Sequence, residues 1–392
     1  MRILTRYIIV ELLQVFFLTL AGLTALIFLA LVGREAINKG LGLGPLLRMA
    51  PYLVPQAMQF AVPGTMLLAT TSVYGRLSAF NEVVALKSMG ISPWKIIGPT
   101  LIVAAATSFV AVGVNDLAVS WGRLGVQRVF VESLEEVIYG QLRLHRSYVA
   151  EGVRINVVDV RDRLLIRPTL TVQGKGGREP ITISAAAAEM RSIPAEQKLQ
   201  VAFRDLDVEG PIKYADPSVF VHEIDLAELF DEADSRSPSN YALAEIGAER
   251  AEMRRQTDLA QRDHAAQQML GLMTGDTSRL GVAEREQNAR LIGELHYRER
   301  RLSVEPFRRW ANGFSCLCFV MVGAPMAILR QKGEFLASFF LCFLPILLVY
   351  YPLLIVSVDH AKAGDISPAA VWIGNLVLAL WGLSMMRRVA RH

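Results

Sequence analysis

Cysteine is scarce in this chain, whose 392 residues include only Cys316, Cys318 and Cys342. All three lie in apolar segments, so none can form a disulfide within the polar part of the chain. No CxxC pair is present, and this spacing is typical of zinc sites with cysteine ligands. We interpret the three residues as small buried apolar side chains and expect no metal.

Motifs for nucleotide hydrolysis and common hydrolytic chemistry are also absent. The chain contains no GxxxxGKS/T, no HExxH and no GxSxG sequence. Gly174-Lys175 lies between two predicted strands and lacks the spacing and the following helix of a phosphate-binding loop. We therefore predict no catalytic residue and no cofactor in this chain, and the energy for any work has to come from a partner.

Charge is missing from six long windows, although the whole chain is 20% charged and 52% hydrophobic. A helix needs about 20 apolar residues to cross a membrane, and one central Lys or Arg opposes insertion by about 2.5–3.5 kcal/mol. The first window is too long for a signal peptide and lacks a cleavage site after it. The sequence predicts six transmembrane helices, at residues 12–32, 50–75, 96–115, 311–329, 335–358 and 366–386.

The short loops between these windows have a strong bias in basic residues. One set of segments contains Arg2, Arg6, Arg76, Lys87, Lys95, Arg330, Lys332, Arg387, Arg388 and Arg391. The opposite set contains only Arg34, Lys39, Arg48 and Lys362, apart from Arg308 and Arg309 at the end of a long polar segment. Because basic loops stay in the cytoplasm, we expect both termini there and the polar segment outside, in the periplasm of a Gram-negative cell. The net charge of +4 is too small and too dispersed for a nucleic-acid partner.

Between the third and fourth windows the polar segment begins with period-two alternation. Predicted strands cover residues 153–160, 163–173, 180–190, 198–210 and 218–226, with turn signals between them. Several short strands at this spacing are typical of an antiparallel sandwich or jelly roll. The pattern leaves open a plain packed β-domain and an open-ended roll that holds an acyl chain.

Residues 239–305 contain no proline and alternate acidic with basic side chains, which predicts two charged helices broken at 275–278. The predicted organisation is therefore helices one to three with a short cytoplasmic helix at 1–116 and a β-jelly-roll-like domain at 117–235. A charged helical segment follows at 236–305, and helices four to six lie at 306–392.

The loop between the second and third windows contains a short amphipathic helix at 81–90. Val83, Leu86 and Met89 are apolar residues on one side of it, Glu82 and Lys87 are available to solvent, and Gly90 suits a left-handed helix stop. Such a helix is either a turn on the membrane surface or a knob that docks in a groove of a cytoplasmic ATPase, where Glu82 would pair with a basic residue.

Several passages together resemble the lipopolysaccharide export permease family, LptF/LptG. They are ILTRYIIVELLQVFFLTL at the start, SAFNEVVALKSMGIS in the short-helix loop, IRPTLTVQGKGGREPITISAAAAEM in the strands, GELHYRERRLSVEPF before the fourth window and ILRQKGEF after it. The resemblance follows the family order over most of the chain. Two features depart from the family: the helical segment is long, and Glu305-Pro306 replaces an apolar-proline pair.

The resemblance implies a six-helix membrane domain with an inserted periplasmic β-jelly roll. It implies a second permease subunit of the same family or a second copy, a cytoplasmic ABC ATPase dimer that uses ATP, and a periplasmic jelly-roll bridge protein. The implied cargo is lipopolysaccharide, extracted from the inner membrane. Glu82, with Val83, Leu86, Met89 and Gly90 around it, would contact the ATPase, and Arg34 and Lys39 would contact lipid phosphates and sugars.

Two other functions remain open at this level. One is a mechanotransmitting ABC permease for lipoprotein or peptide, whose outer domain is typically α/β. The other is a membrane scaffold without transport, which would have no ATPase partner.

Overall fold

The computed structural model describes residues 2–39, 42–150, 153–172, 181–193, 198–209, 214–225, 237–274, 282–330 and 335–391. The chain forms two compact units. The first comprises Met1–Ile27, Pro55–Ser120 and Pro238–His392, and the second comprises Phe28–Val54 and Trp121–Ser237. The predicted breaks at 174–177 and 275–278 lie outside the described residues.

The N-terminal third is helical. Its helices are α1 (Arg2–Lys39), α2 (Leu43–Ala79), α3 (Glu82–Ser88), α4 (Pro93–Leu117), α5 (Leu124–Glu132) and α6 (Leu134–His145), with a π-helical stretch at Ala118–Arg123 between α4 and α5. Helix thus continues well past Asp116, where the third charge-free window ends, because no proline follows to stop it.

The C-terminal part is also helical and contains α7 (Leu243–Thr274), α8 (Val282–Leu329), α9 (Phe335–Pro345), α10 (Tyr351–Ala363) and α11 (Ile373–Arg391). A π-helical stretch, Ile346–Tyr350, joins α9 to α10, and a 3-10 turn, Pro368–Trp372, precedes α11. Pro352 explains the first irregularity, since its nitrogen cannot donate to the carbonyl of Leu348.

Helix α8 joins two parts that differ in polarity. It extends for 48 residues from the charged segment through the fourth apolar window without interruption, although Pro306 and Pro325 lie inside it. At 1.5 Å per residue its charged half, before residue 311, is about 44 Å long. Helix α7 packs alongside this half, and Arg254 pairs with Glu299 at 2.5 Å.

Five helices or helix pairs among the described residues are long and apolar enough to cross a membrane. They are Ile3–Ile37, Pro93–Phe130, Ala289–Leu329, Phe339–Ala363 and Pro368–Arg391. Helix α2, which contains the second window, is 37 residues long but is not among them. Its apolar residues are diluted by glutamines and threonines, including Gln56, Gln59, Thr65, Thr70 and Thr71.

Close helix packing in the first unit depends on glycines. A Cβ at Gly313 of α8 would lie 2.3 Å from the Val112 side chain, and one at Gly382 of α11 would lie 2.7 Å from the Met321 carbonyl. The absence of side chains there lets the backbones of α4, α8 and α11 approach one another. Around these crossings lies a continuous apolar core.

The second unit contains an eight-stranded antiparallel sheet. Its strands are β1 (Ser147–Ala150), β2 (Val153–Asn156), β3 (Asp159–Arg161), β4 (Leu164–Ile166), β5 (Thr169–Val172), β6 (Ile181–Ile193), β7 (Lys198–Glu209) and β8 (Tyr214–Asp225). The order is β1-β2-β5-β6-β4-β3, and β7 pairs with both β6 and β8. The predicted antiparallel β-domain is therefore confirmed at the level of strand pairing.

Two of the predicted strands are each divided in the structure. The stretch 153–160 forms β2 and β3 with a break at Val157-Val158, and 163–173 forms β4 and β5 with a break at Arg167-Pro168. Arg167 has a φ of 48°, and proline cannot donate to a strand partner, so the ladder stops there. Strand β1 was not predicted, because its four residues are too few for a clear alternation.

Helix α6 covers one part of this sheet. Ile138, Tyr139 and Leu142 are buried against strand residues that include Leu165 and Met190. The Tyr139 hydroxyl donates to the Arg163 carbonyl at 2.6 Å and accepts from the Met190 amide at 2.9 Å. Burial raises the pKa of Tyr139, so it stays a neutral donor in this position.

Candidate functional site

Helix α3 has well-defined local geometry. It begins after Asn81, which is left-handed with a φ of 59°, and it ends at Ser88, shortly before Gly90, which has a φ of 80°. The Gly90 amide donates to the Lys87 carbonyl at 2.8 Å and the Ile91 amide to the Leu86 carbonyl at 3.1 Å. This pair of bonds is a Schellman motif, which glycine permits at no steric cost.

One side of α3 packs against the membrane unit. Val83 is buried and Leu86 and Ile91 are partly buried in the same apolar core, which also contains Met386 and Val389 of α11. Lys87, predicted to be available to solvent, is instead partly buried, and its Nζ donates to the Val389 carbonyl of α11 at 2.7 Å. A cation at a helix C-terminus also interacts favourably with the helix dipole. Helix α3 is thus connected to the end of α11.

The residues beside α3 connect it to two more helices. Before it, the Ser78 hydroxyl donates to the Ile328 carbonyl of α8 at 2.9 Å. The Tyr74 hydroxyl lies 3.0 Å from the Ile96 carbonyl and 2.7 Å from the Thr100 hydroxyl of α4. The end of α2 that leads into α3 is thus bonded to α4 and α8, while α3 itself is bonded to α11.

The other side of α3 is unusual for its exposed apolar side chains. Phe80, Val84 and Met89 are 70%, 46% and 67% exposed. Glu82 is half-buried beside them and has no ion-pair partner among the described residues. Met89 thus faces away from Val83 and Leu86, and sequence reasoning missed Phe80 and Val84. An unpaired carboxylate surrounded by apolar residues is suited to a protein partner with a basic residue inside an apolar groove.

A second cluster lies around Arg309, in the middle of α8 and at the C-terminal end of α4. Arg309 is fully buried and pairs with Asp116, the last acidic residue of α4. Its Nη2 also donates to the carbonyls of Tyr241 at 2.7 Å and Ser239 at 3.2 Å. The Asp116 carboxylate accepts in turn from the Leu243 amide at 2.9 Å. The segment that enters α7 is thus fastened to two apolar helices.

Glu305 completes this Arg309 cluster. It is fully buried, accepts from the Ser239 hydroxyl at 3.1 Å and pairs with Arg308 at 2.5 Å. The sequence showed Glu305 only as a departure from an apolar residue. Each charge in the cluster faces an opposite charge, which is the condition for burying them at acceptable cost.

The two predicted lipid-contact residues lie near the end of α1. Arg34 is exposed, and Lys39 is the last residue of the helix, with a side chain outside the described part. Both belong to the second unit, whereas α3 and the Arg309 cluster belong to the first. Among the described residues, no group of three or more His, Cys, Asp or Glu is placed to hold a metal.

The chain combines a set of apolar helices with an antiparallel β-domain inserted after the third charge-free window. The family model described as lipopolysaccharide export system permease LptF/LptG matches residues 6–388. The chain belongs to the LptF/LptG family. No curated protein sequence matches it.

This match confirms the resemblance seen in the sequence, and it covers nearly the whole chain. The protein is accordingly a multi-pass inner-membrane protein and a permease subunit of lipopolysaccharide export, a transport subunit and not an enzyme. The roles of Glu82, Arg34 and Lys39 stay predictions.

Proposed function

We propose that this chain extracts lipopolysaccharide, or a related glycolipid, from the inner membrane and passes it to a periplasmic jelly-roll bridge protein. A cytoplasmic ABC ATPase dimer supplies the energy, and a second permease of the same family, or a second copy, completes the membrane part. The observation that carries this proposal is the family match over residues 6–388. Neither ATP nor another cofactor binds to this chain itself in the proposal.

Helix α2 is the sixth span in this proposal. Its modest apolarity is compatible with crossing, since its polar residues are internal: Thr65, Thr70 and Thr71 are buried. Their hydroxyls donate to carbonyls four residues earlier, at 2.7–3.0 Å, so none needs water. Six crossings leave both termini in the cytoplasm and the β-domain in the periplasm, in agreement with the bias of the basic loops.

The β-domain is proposed to close into a jelly roll whose interior accepts acyl chains. Each buried CH₂ group contributes about 0.8 kcal/mol, so an apolar interior can compensate for lifting chains out of the bilayer. All described strand pairs are antiparallel. This supports a glycolipid carrier over a lipoprotein permease, whose outer domain is typically α/β.

Arg34 and Lys39 are proposed to hold the anionic part of the cargo. They lie at the end of α1 that follows the first apolar window, where the headgroups of the outer leaflet would be. Phosphates bind such cations by charge-assisted hydrogen bonds. Replacing Arg34 with Glu should weaken photo-crosslinking of the protein to lipopolysaccharide. Unchanged crosslinking would contradict the proposed contact.

Glu82 is proposed as the contact that couples α3 to the ATPase. Glu82→Ala should lower co-purification of the ATPase by about ten-fold, the loss expected for one charge-assisted pair in an apolar groove. Glu286→Ala is a matched control, since this exposed carboxylate lies in the charged part of α8. The measurement is the ATPase-to-permease ratio after affinity purification, followed by ATP-driven lipid release.

Undiminished ATPase association and lipid release in Glu82→Ala would contradict the coupling role. Absence of any ATPase partner in the wild-type purification would favour the membrane scaffold instead.

A further inference from the structure

The cytoplasmic ends of α1 and α2, in the proposed orientation, form a polar groove that the proposed transport does not use. Its volume is about 580 Å³, and its polar lining consists of Arg6, Tyr7, Glu11, Gln14 and Arg76. Glu11 directly precedes the first charge-free window and Arg76 directly follows the second. The groove therefore lies at the depth where the hydrocarbon core ends and lipid headgroups begin.

The groove has an internal framework built on Arg76. The Arg76 Nη2 donates to the Tyr7 hydroxyl oxygen at 2.8 Å and pairs with Oε1 of Glu11. A guanidinium has five N–H donors, and no hydrogen bond to a described residue involves its Nη1 or Nε. Arg76 is thus held in position with donors to spare.

Two charged groups beside Arg76 have bonding capacity that the described residues do not use. The second carboxylate oxygen of Glu11, Oε2, is buried and accepts no hydrogen bond from the described residues. Arg6 is exposed and has no ion-pair partner among them. A buried acceptor without a donor is unfavourable, so a donor from outside is expected to occupy this place. The Glu11 side chain is 18% exposed and lines the groove.

We propose that this groove binds the headgroup of an aminophospholipid, a phosphodiester that carries a primary ammonium group. The phosphate accepts hydrogen bonds from Arg6 and from the free donors of Arg76, and the ammonium donates to Glu11. The acyl chains lie along α1, where Phe17 and Leu18 are 62% and 77% exposed. The arrangement of charges in the groove favours an aminophospholipid over two other common lipids. Phosphatidylglycerol has no ammonium group to pair with Glu11, and the choline of phosphatidylcholine has no N–H to donate.

The test is native mass spectrometry of the full permease, purified and delipidated, with phosphatidylethanolamine, phosphatidylcholine and phosphatidylglycerol of identical chains. The wild type should bind phosphatidylethanolamine about ten-fold more strongly than the other two, as expected for one charge-assisted hydrogen bond. Equal binding of the three lipids would overturn the proposal.

Two variants test the proposed contacts of the ammonium and of the phosphate separately. Glu11→Gln, which keeps the shape of the side chain, should abolish the preference for phosphatidylethanolamine over phosphatidylcholine. Arg6→Gln should weaken all three lipids, whereas Arg391→Gln, an exposed residue at the end of α11, should change none. Retained selectivity in Glu11→Gln also overturns the proposal.

Soluble phosphoethanolamine is the competitor that distinguishes a lipid from a free metabolite. If millimolar phosphoethanolamine does not displace the bound lipid, the result supports a lipid site. Displacement by phosphoethanolamine would overturn the proposal. The readout needs neither ATP nor lipopolysaccharide, and only the leaflet assignment rests on the proposed orientation. A failed transport assay and a failed lipid-binding assay therefore remain distinguishable.

Discussion

Arg309 is the largest side chain that is fully buried in the described part of the protein. In the sequence it appears with Arg308 as an exception to the bias of the basic loops. In the structure it is buried: Asp116 neutralises its charge, and two backbone carbonyls accept hydrogen bonds from its Nη2.

The Arg309 cluster leads to a prediction about stability. Arg309→Met should lower the free energy of unfolding by about 3–5 kcal/mol, since the partly buried Asp116 would lose its charge partner and the fully buried Glu305 would keep only Arg308. The double variant Arg309→Met with Asp116→Leu should recover part of this loss, because no unpaired charge is left. Thermal denaturation of the purified permease in detergent measures both. A single variant as stable as the wild type would contradict the buried pair.

Helix α3 shows how an element combines local and distant determinants. Its stop follows from Gly90 and Pro93, which act through backbone geometry alone. Its attachment to α11 depends on Lys87 and Val389, residues separated by most of the chain. The first was visible in the sequence, whereas the second required the folded arrangement.

The Lys87 contact predicts a defect in transmission without a defect in binding. Lys87→Met should remove roughly 1 kcal/mol of contact between α3 and α11, which shifts the attached population about five-fold. ATPase co-purification should stay normal, while ATP-driven lipid release per ATP hydrolysed should fall. Lys87→Arg, which keeps a donor, is the control. Equal coupling in both variants would show that α3 does not act through α11.

At the scale of the whole molecule, the number of crossings decides where every other site lies. If α2 crosses, Gly42 and Ser88 lie on opposite sides of the membrane; if it does not, they share one side. Both positions are exposed and suit single-cysteine labelling after the three buried cysteines are replaced by alanine.

The expected labelling follows from the six-span arrangement. In intact cells with a permeabilised outer membrane, Gly42→Cys should react with a membrane-impermeant maleimide and Ser88→Cys should not. After detergent solubilisation both should react equally, which controls for local accessibility. If both cysteine variants react in intact cells, the protein has five membrane crossings and its termini lie on opposite sides of the membrane.

The apolar helices, the antiparallel character of the inserted domain and the short helix with its glycine stop could be predicted from the sequence. These features follow from the periodicity and charge of a single segment and from the backbone limits of glycine and proline. The continuation of α8 through the charged segment, the burial of Arg309 against Asp116 and the outward position of Met89 were apparent only in the folded protein. These features depend on contacts between residues that are far apart in the sequence. A buried charge needs an opposite charge, and an apolar face needs another apolar face, and no single segment contains both.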